Sequence, residues 1–382
     1  MSRLRICYIS DWASVHCQRW ATAMAGRGHN VIVVTPYAGA QPRPAGAVPV
    51  VVRPLYPFGA RALMRPLHAL LNCVSFRRFL ARSAPDVIHL MGLFPVLHPM
   101  LTPTVSRLSR LVVSTWGADI VWDPPKDEPL SKEPFLSVWT KKFILRQARA
   151  ITATSRFQVA VTQEYAPPWL TVRHIPYGVD LGLFNPERYP KRPDGPLFIA
   201  YVKSVAPKYG PDVALAAFRI VKSEIRHAGM IMAGDGPMLA SLKRTAADSR
   251  LDDAVRFLGR VGHEEVPAVL ASADLLVMPS VCEETFGVVA LEAAAMGLPV
   301  IASKVGGVSE VVVDGVTGLL VPPGDEKTLA RAIIELARDR ARMKAMGRAG
   351  REFVAKTYSW DRCVDQMEEV YLQVARGKAD RG

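Results

Sequence analysis

Short apolar blocks alternate with helix-length amphipathic segments along nearly the whole chain, and this alternation limits the possible folds more than any other feature. In the first half, strand-like blocks are predicted at Leu4–Ile9, Val31–Thr35, Asp86–Leu90, Leu111–Thr115 and Ala150–Ala153. In the second half, such blocks recur at Leu197–Val202, Met230–Ala233, Val255–Leu258, Leu275–Pro279 and Pro299–Ala302. Because a helix between two strands usually joins parallel neighbours, the pattern predicts an α/β protein with doubly wound parallel sheets.

The chain has 382 residues, which is too long for one ordinary core and fits two domains. A stretch rich in Pro, Gly and charge at residues 185–196 interrupts the periodicity and indicates a linker. We therefore predict two Rossmann-like domains facing a cleft: an N-terminal acceptor-side domain at residues 1–187 and a C-terminal nucleotide-sugar-binding domain at residues 188–359. A last helix at about residues 360–382 could pack back on the first domain.

Positive charge is concentrated in the first half of the chain. The formal net charge is +13, and residues 1–185 hold 21 Lys and Arg against 9 Asp and Glu. No acidic residue lies between Asp11 and Asp86, which favours anionic partners. Within this tract, the segment Arg61–Arg82 interleaves arginines with leucines and phenylalanines and predicts an amphipathic helix on an anionic membrane surface. An ordinary packing helix with solvated arginines is the alternative.

Several classes of protein are disfavoured by what the sequence lacks. The sequence has no run of about 18 apolar residues, so no membrane-spanning helix is predicted. The first apolar stretch ends at Asp11 and is too short for a signal peptide. We therefore expect a cytoplasmic protein that attaches to the membrane, if at all, from its inner face. The five cysteines form no C-x-x-C pair, which disfavours a disulfide framework or a zinc site. No aromatic residues alternate with the arginines, so nucleic acid is not a predicted partner.

The segment from Pro279 to Ser303 has the strongest functional signal. A strand is predicted to end at Pro279, a polar loop contains Glu284, and a helix beginning near Gly287 contains Glu292. A glutamate among Leu, Ala and Met costs on the order of several kcal/mol if it is unpaired, so Glu292 needs a partner. The hydroxyl pair of a ribose would serve, and a salt bridge on the helix face is the structural alternative.

Glu284 and Glu292 resemble the E-x7-E signature of the retaining glycosyltransferase family four, also called glycosyl transferases group 1, whose fold is GT-B. Further motifs of that family match at Ile175–Asp180, Ala233–Pro237, Ala273–Asp274, Gly297–Val300, Gly306–Glu310 and Asp314–Gly318, so the resemblance covers nearly the whole chain. It implies that Glu292 binds the donor ribose, that Glu284 acts at the donor sugar, and that anomeric configuration is retained. Thr285, Phe286 and Gly287 are predicted to belong to the same donor site.

Two lysines follow the first strand of the second domain. Lys203 and Lys208 could stabilise the negative charge that develops on a departing diphosphate, so we predict catalytic roles for both. The family usually shows Gly-Arg-Leu and then Lys-Gly here, whereas this chain has Lys203 in place of the Arg and inserts Tyr209 before the glycine. Solvated surface lysines are the alternative. We predict no obligatory metal and no other cofactor, and base recognition near Arg260 and Val261 with the base left open.

The first domain is predicted to bind the acceptor, a glycan or a lipid-linked glycan. His16, Trp116 and Asp119 are the candidate contacts, since all three follow predicted strands. Relatives commonly show His-Gly-x-Asp where this chain has Trp116, so an inherited role for that histidine is absent. The resulting prediction is a nucleotide-sugar-dependent glycosyltransferase of cell-surface polysaccharide or glycolipid synthesis. A sugar-nucleotide epimerase of the same fold and a non-catalytic sugar-nucleotide-binding scaffold subunit are the alternatives.

Overall fold

The computed structural model describes residues 3–35, 50–54, 76, 78–93, 110–117, 119–121, 133–190 and 195–377. It divides into two compact units. Unit 1 comprises Met1–Ile175 and Val364–Gly382, and unit 2 comprises Pro176–Cys363. Unit 1 is therefore assembled from both ends of the chain.

Strands and helices alternate as the sequence predicts. The strands are β1 (Arg5–Ile9), β2 (Asn30–Thr35), β3 (Val50–Pro54), β4 (Val87–Met91), β5 (Leu111–Thr115), β6 (Ala150–Ala153), β7 (Val172–His174), β8 (Phe198–Val202), β9 (Gly229–Ala233), β10 (Val255–Gly259), β11 (Leu275–Met278), β12 (Val300–Ser303) and β13 (Gly318–Val321). The helices with defined bounds are α1 (Val15–Gly26), α2 (Phe135–Gln147), α3 (Arg156–Gln163), α4 (Pro211–Glu224), α5 (Leu239–Asp248), α6 (Val266–Ala271), α7 (Val288–Ala295), α8 (Val308–Val311), α9 (Glu326–Arg338), α10 (Arg340–Thr357) and α11 (Trp360–Ala375).

Each unit contains one parallel sheet. In unit 1 the strand order is β3-β2-β1-β4-β5-β6-β7, and in unit 2 it is β10-β9-β8-β11-β12-β13. The central strands β4, β5 and β11 are buried at every position, which is typical of parallel sheets covered on both faces. These observations confirm the predicted α/β class with two doubly wound, Rossmann-like domains.

A chain of buried polar side chains crosses the sheet of unit 1. The Tyr8 and Tyr371 hydroxyls lie 3.0 Å apart, and the Tyr371 hydroxyl lies 2.6 Å from His89 Nδ1. On the other side of the ring, His89 Nε2 lies 2.6 Å from Ser114 Oγ, which lies 2.5 Å from Thr152 Oγ1. Burial lowers the pKa of His89 to about 3, so the imidazole is neutral at neutral pH. We refer to these five residues as the polar ladder.

Helix α11 belongs to unit 1 from Val364 onward and is held there by further polar contacts. Glu368 accepts hydrogen bonds from Arg27 and from His29, the latter at 2.9 Å from Nε2. Arg173 donates to the side-chain oxygen of Gln373 at 2.6 Å. The last helix thus contacts residues just before β2 and in β7, two strands toward opposite sides of the unit 1 sheet.

The division between the units follows Ile175, before the predicted boundary at residue 187. Residues 176–187 pack within unit 2, where the Tyr177 ring lies 6.0 Å from the Phe286 ring. The backbone N–H of Val179 donates to Tyr358 O at 2.8 Å, and the N–H of Trp360 donates to Val179 O at 2.9 Å. The described parts of the Pro- and Gly-rich stretch, residues 185–190 and 195–196, therefore lie inside unit 2.

The predicted membrane segment Arg61–Arg82 falls mostly outside the described residues, which here include only residue 76 and residues 78–82. Of these, Phe76 and Leu80 are buried in the apolar core of unit 1. No helix in the part of the chain that the structure describes is long and apolar enough to span a bilayer.

Candidate active site

Glu284 lies in the loop between β11 and α7, with its carboxylate buried against two partners. Lys203 Nζ lies 3.0 Å from Oε1 and 3.2 Å from Oε2, and the Ser280 hydroxyl donates to Oε1 at 2.7 Å. Charge-assisted bonds of this kind orient a buried carboxylate and offset the cost of removing it from water. Glu284 is therefore held at one position at the carboxyl end of the unit 2 sheet.

The lysine and glutamate loops meet because β8 and β11 are parallel neighbours and end at the same edge of the sheet. Gly210, at φ +59°, makes this approach possible, since a Cβ atom there would lie 2.0 Å from Pro279 O. The backbone N–H of Val281 then donates to Lys208 O at 3.0 Å. A side chain at position 210 would separate the two loops.

The Gly306–Gly307 turn supports the backbone of Glu284. Gly306 has a φ of +46°, and a Cβ atom there would lie 2.2 Å from Glu284 O. The N–H of Gly307 donates to the same carbonyl oxygen at 2.7 Å. This pair of glycines therefore acts on the position of Glu284 from the β12–α8 loop.

Tyr209, the residue inserted before the expected glycine, brings the two lysines together. Lys203 Nζ lies 4.7 Å from the centre of its ring, and Lys208 Nζ lies 5.2 Å from it. Both distances are within the range of a cation–π interaction. The buried Tyr201 lies beneath them, and its hydroxyl donates to Ser204 O at 3.1 Å. Burial raises the pKa of Tyr201 well above its usual value, with a contribution from the Glu284 charge, so this hydroxyl remains a donor.

A cavity of about 430 Å³ opens at the same edge of the sheet. It is lined by Val202, Lys203, Ser204, Ala233, Gly234, Asp235, Gly236, Arg260, Val261 and Val266. Gly234 allows its turn to pack on the lysine loop, since a Cβ atom there would lie 1.9 Å from Lys203 O. Arg260 and Val261, predicted to bind the base, thus share a cavity with Lys203, which also pairs with Glu284.

Glu292 is buried in α7 and is paired with a histidine from another segment. Its Oε1 lies 3.0 Å from His263 Nε2, and the His263 ring lies edge-on to Phe184 with a centroid distance of 5.5 Å. His263 follows the cavity residues Arg260 and Val261 by two positions in the chain. The predicted need for a partner at Glu292 is met in this structure by His263, which lies on a different element and not on the face of α7.

Comparisons with known proteins identify the family of this chain. A family described as Glycosyltransferase Family 4 matches residues 13–183, and one described as Glycosyl transferases group 1 matches residues 187–353. The chain is 31% identical over 278 residues to the GDP-mannose-dependent alpha-(1-6)-phosphatidylinositol monomannoside mannosyltransferase of Mycolicibacterium smegmatis, covering 68% of this chain and 70% of that protein. The chain belongs to glycosyltransferase family 4.

Two further comparisons extend across most of this glycosyltransferase. The protein of the same name from Mycobacterium tuberculosis is 29% identical over 308 residues, which cover 75% of this chain and 76% of the relative. The structure of a sucrose-phosphate synthase from Thermosynechococcus elongatus superposes with a TM-score of 0.81 at 24% identity, covering 97% of this chain and 99% of the other. The second comparison establishes a shared fold.

Three further residues of the predicted donor site of this family 4 enzyme follow Glu284 directly in the chain. The ring of Phe286 is buried between Tyr177 and Tyr358, at centroid distances of 6.0 and 5.5 Å. Gly287, at φ +94°, precedes the first residue of α7, and Thr285 lies in the same loop. The Phe286 ring therefore anchors the loop of Glu284 in the core of unit 2.

The acceptor-side candidates come together in unit 1. The rings of His16, near the start of α1, and Trp116, after β5, meet edge-on with centroids 5.8 Å apart. Asp119 accepts backbone N–H bonds from Trp116, Gly117 and Leu93, at 3.0, 2.6 and 3.0 Å. Burial raises the pKa of the Asp119 carboxyl, against the opposing effect of these bonds. Asp119 therefore ties together the loops after β4 and β5, beside the two aromatic candidates.

Two residues of the site were missed by sequence reasoning. Ser280, four residues before Glu284, could have been found because that spacing places a hydroxyl near a loop carboxylate. His263 could not, because 29 residues separate it from Glu292. Within the described ranges, no group of three or more His, Cys, Asp and Glu side chains could hold a metal ion.

Proposed function

We propose that this glycosyltransferase transfers a sugar from a nucleoside-diphosphate sugar to a glycan or a lipid-linked glycan. One observation carries the proposal: Lys203 lines the 430 Å³ cavity and also pairs with the buried Glu284. A cation that is to meet a diphosphate and a carboxylate that is to meet a sugar are thereby joined at the carboxyl end of the sheet. Ligands of open α/β sheets bind at that edge.

In the proposed complex, each residue meets one part of the donor. The base lies near Arg260 and Val261, the ribose hydroxyls bind Glu292, the diphosphate binds Lys203 and Lys208, and the sugar contacts Glu284. On donor binding, the ribose would replace His263 as the partner of the Glu292 carboxylate. The diphosphate would replace Glu284 as the partner of Lys203. Lys203 and His263 are both partly exposed, so each is available for exchange with a ligand.

The proposed reaction retains anomeric configuration. The acceptor hydroxyl oxygen bonds to the anomeric carbon on the face that the diphosphate leaves, while the bond from that carbon to the phosphate oxygen breaks with its electron pair. The hydroxyl proton passes to the departing phosphate, so no separate general base is required. Lys203 and Lys208 would stabilise the charge as it develops, which supports a reaction that needs no metal.

The names of the two mycobacterial relatives support GDP-mannose as the first donor to test and a lipid-linked acceptor. We place the acceptor against His16 and Trp116 of unit 1, and we propose that the enzyme acts on the cytoplasmic side of the membrane in polysaccharide or glycolipid synthesis. A donor present at 100 times its dissociation constant should add about 2.7 kcal/mol of stability. A thermal-shift series with GDP-mannose, UDP-glucose and ADP-glucose therefore shows which of these donors binds.

The decisive test is transfer of labelled sugar from the selected donor to lipid and glycan fractions, with and without EDTA. Wild type and Glu284→Gln are compared, because glutamine keeps the size of the side chain and can still bond to Ser280. The proposal predicts a labelled product with the anomeric configuration of the donor, formed by wild type in either condition. Donor binding without transfer to any fraction would instead support the scaffold alternative.

A further inference from the structure

Helix α2 of unit 1 exposes large apolar side chains. Phe135 is 81% exposed, Leu136 69% and Trp139 46%, and the nearby Trp169 is 60% exposed. Within the described ranges, every exposed large hydrophobic side chain bigger than valine belongs to this group. Surfaces of this kind mark sites of interaction with a protein or a membrane. We call these four residues, together with Lys142 and Arg146, the α2 surface.

Four residues of the α2 surface form one stripe along the helix. Phe135, Trp139, Lys142 and Arg146 are spaced at i, i+4, i+7 and i+11, which places them on one face. Ile144 lies on the opposite face and Leu145 on the flank, and both are buried in the core of unit 1. The stripe is thus the side of an anchored helix that points away from its own domain.

The charges on this surface are all positive. Lys142 and Arg146 are exposed, and the Arg146 guanidinium lies 5.6 Å from the centre of the Trp169 ring. Helix α2 contains no acidic residue, and Glu133, just before it, is paired with Lys141 at 2.6 Å. An anionic partner would therefore meet two cations with no nearby uncompensated carboxylate on the same helix.

The composition of the surface favours a bilayer over a protein as its partner. Lysine is depleted in protein interfaces, whereas Trp, Phe and Leu with Lys and Arg characterise helices that lie in the membrane interface. We propose that the α2 surface docks on an anionic lipid bilayer. The site differs from the segment Arg61–Arg82 and has its own residues.

The order of residues along α2 predicts the orientation of the docked helix. The apolar side chains lie at its N-terminal end, and Arg146 lies seven residues beyond Trp139, roughly 10 Å along the axis. The N-terminal end should therefore enter the acyl boundary while Lys142 and Arg146 remain among the headgroups. Among the tryptophans that the structure describes, Trp139 then approaches the acyl chains most closely.

Co-sedimentation of the whole protein with vesicles tests the inference. Vesicles of phosphatidylcholine with 30% phosphatidylglycerol are compared with vesicles of phosphatidylcholine alone. Lys142→Gln with Arg146→Gln should lower binding to the anionic vesicles about 25-fold, since each basic residue at the surface contributes about fivefold. Lys344→Gln with Arg348→Gln, an exposed pair of the same spacing on α10, is the matched control and should bind as wild type does.

A second pair of variants tests the apolar part of the surface. Phe135→Ser with Trp139→Ser should lower binding to anionic vesicles tenfold or more, whereas Val316→Ser, at an exposed apolar site of unit 2, should not. Should the double serine variant fail to fold, Trp139→Phe keeps the core intact. In that variant, fluorescence quenching by lipids brominated on the acyl chains should fall relative to wild type.

Three results would overturn the inference. The first is wild-type vesicle binding by both α2 variants with unchanged quenching in Trp139→Phe. The second is loss of binding only in a variant with glutamine at Arg61, Arg65, Arg77 and Arg78, which would assign the contact to that segment. The third is self-association that the α2 variants abolish in the absence of vesicle binding. Donor-induced thermal shifts, measured on the same variants, should stay unchanged, so a failure here leaves the proposed transfer reaction intact.

Discussion

In unit 1 the buried polar side chains run across the sheet, whereas in unit 2 they gather beyond the ends of the strands. Each member of the polar ladder bonds to another buried group, as His89 does to Ser114 and Tyr371. Glu284 and Glu292 of unit 2 pair with Lys203 and His263, which are only partly buried. The buried glutamates of the proposed ligand site thus have partners that reach solvent, whereas the members of the polar ladder are paired with one another inside unit 1.

The largest effect should come from the lysines and glutamate of the unit 2 site. Lys208→Ala and Glu284→Ala should each lower turnover about a hundredfold or more, because they remove groups that act on the developing charge. Tyr371→Phe, in the ladder of unit 1, should leave turnover unchanged. Steady-state kinetics with melting temperatures of all three variants make the comparison. Unchanged rates in Lys208→Ala, or an absolute need for one added divalent metal, would contradict the lysine mechanism.

Substitutions of the two buried glutamates should affect different steps, donor binding for Glu292 and turnover for Glu284. Glu292→Ala should weaken donor binding by about 2 to 4 kcal/mol, the cost of leaving buried polar partners unpaired, whereas Glu284→Ala should lower turnover more than binding. Isothermal titration with the donor, beside single-turnover rates, separates the two effects. If both variants bind and turn over the donor as wild type does, the assignment of the site is wrong.

The polar ladder should make the stability of unit 1 depend on pH through His89. Burial lowers the pKa of His89 from 6.5 to about 3, so below pH 6.5 the unfolded chain binds a proton that the folded unit does not. The folded unit is therefore most stable above pH 6.5 and loses stability as the pH falls toward 3. The loss in the free energy of unfolding is about 2 kcal/mol at pH 5. Hydrogen exchange of the β4 and β5 amides between pH 5 and 8 measures it. In His89→Gln this part of the pH dependence should vanish, and an identical slope in both proteins would refute it.

The smallest effect should come from Tyr209, whose ring lies beside both lysines. Tyr209→Leu removes an interaction of about 0.5 to 1 kcal/mol and should lower turnover twofold to fivefold. Tyr209→Phe keeps the ring and should behave as wild type does. Equal rates for Leu and Phe at this position would show that the ring does not position the ammonium groups.

Most of the fold followed from local patterns, and the exceptions have physical causes. The strands β1, β5 and β8 were predicted within one residue, because a short, mainly apolar run between turn signals indicates a buried strand. Strands β3, β7 and β13 were not predicted, and β7, with three residues, is too short to show a period. The predicted boundary at residue 187 relied on the linker composition of residues 185–196, whereas the two compact units divide after Ile175.

The site was predictable as a set of elements but not as a set of contacts. Glu284, Lys203 and Arg260 were expected at one sheet edge because parallel strands end together. The burial of Phe286 and the bond from His263 to Glu292 depend on residues far apart in the chain, which no local pattern reports. His16 and Trp116 were expected only to share an edge, yet their rings meet. The direction of a side chain in a loop is decided by such distant neighbours.

The discontinuity of unit 1 has a consequence for biosynthesis. Tyr371 and Glu368 complete its polar contacts, yet they emerge from the ribosome about 200 residues after Ile175. At roughly 5 to 20 residues per second, the nascent N-terminal segment must wait on the order of 10 to 40 s for its last helix. Unit 2, contiguous from Pro176 to Cys363, can finish folding first. The domain that is translated first is therefore the one that becomes native last, and it needs protection from aggregation during that interval.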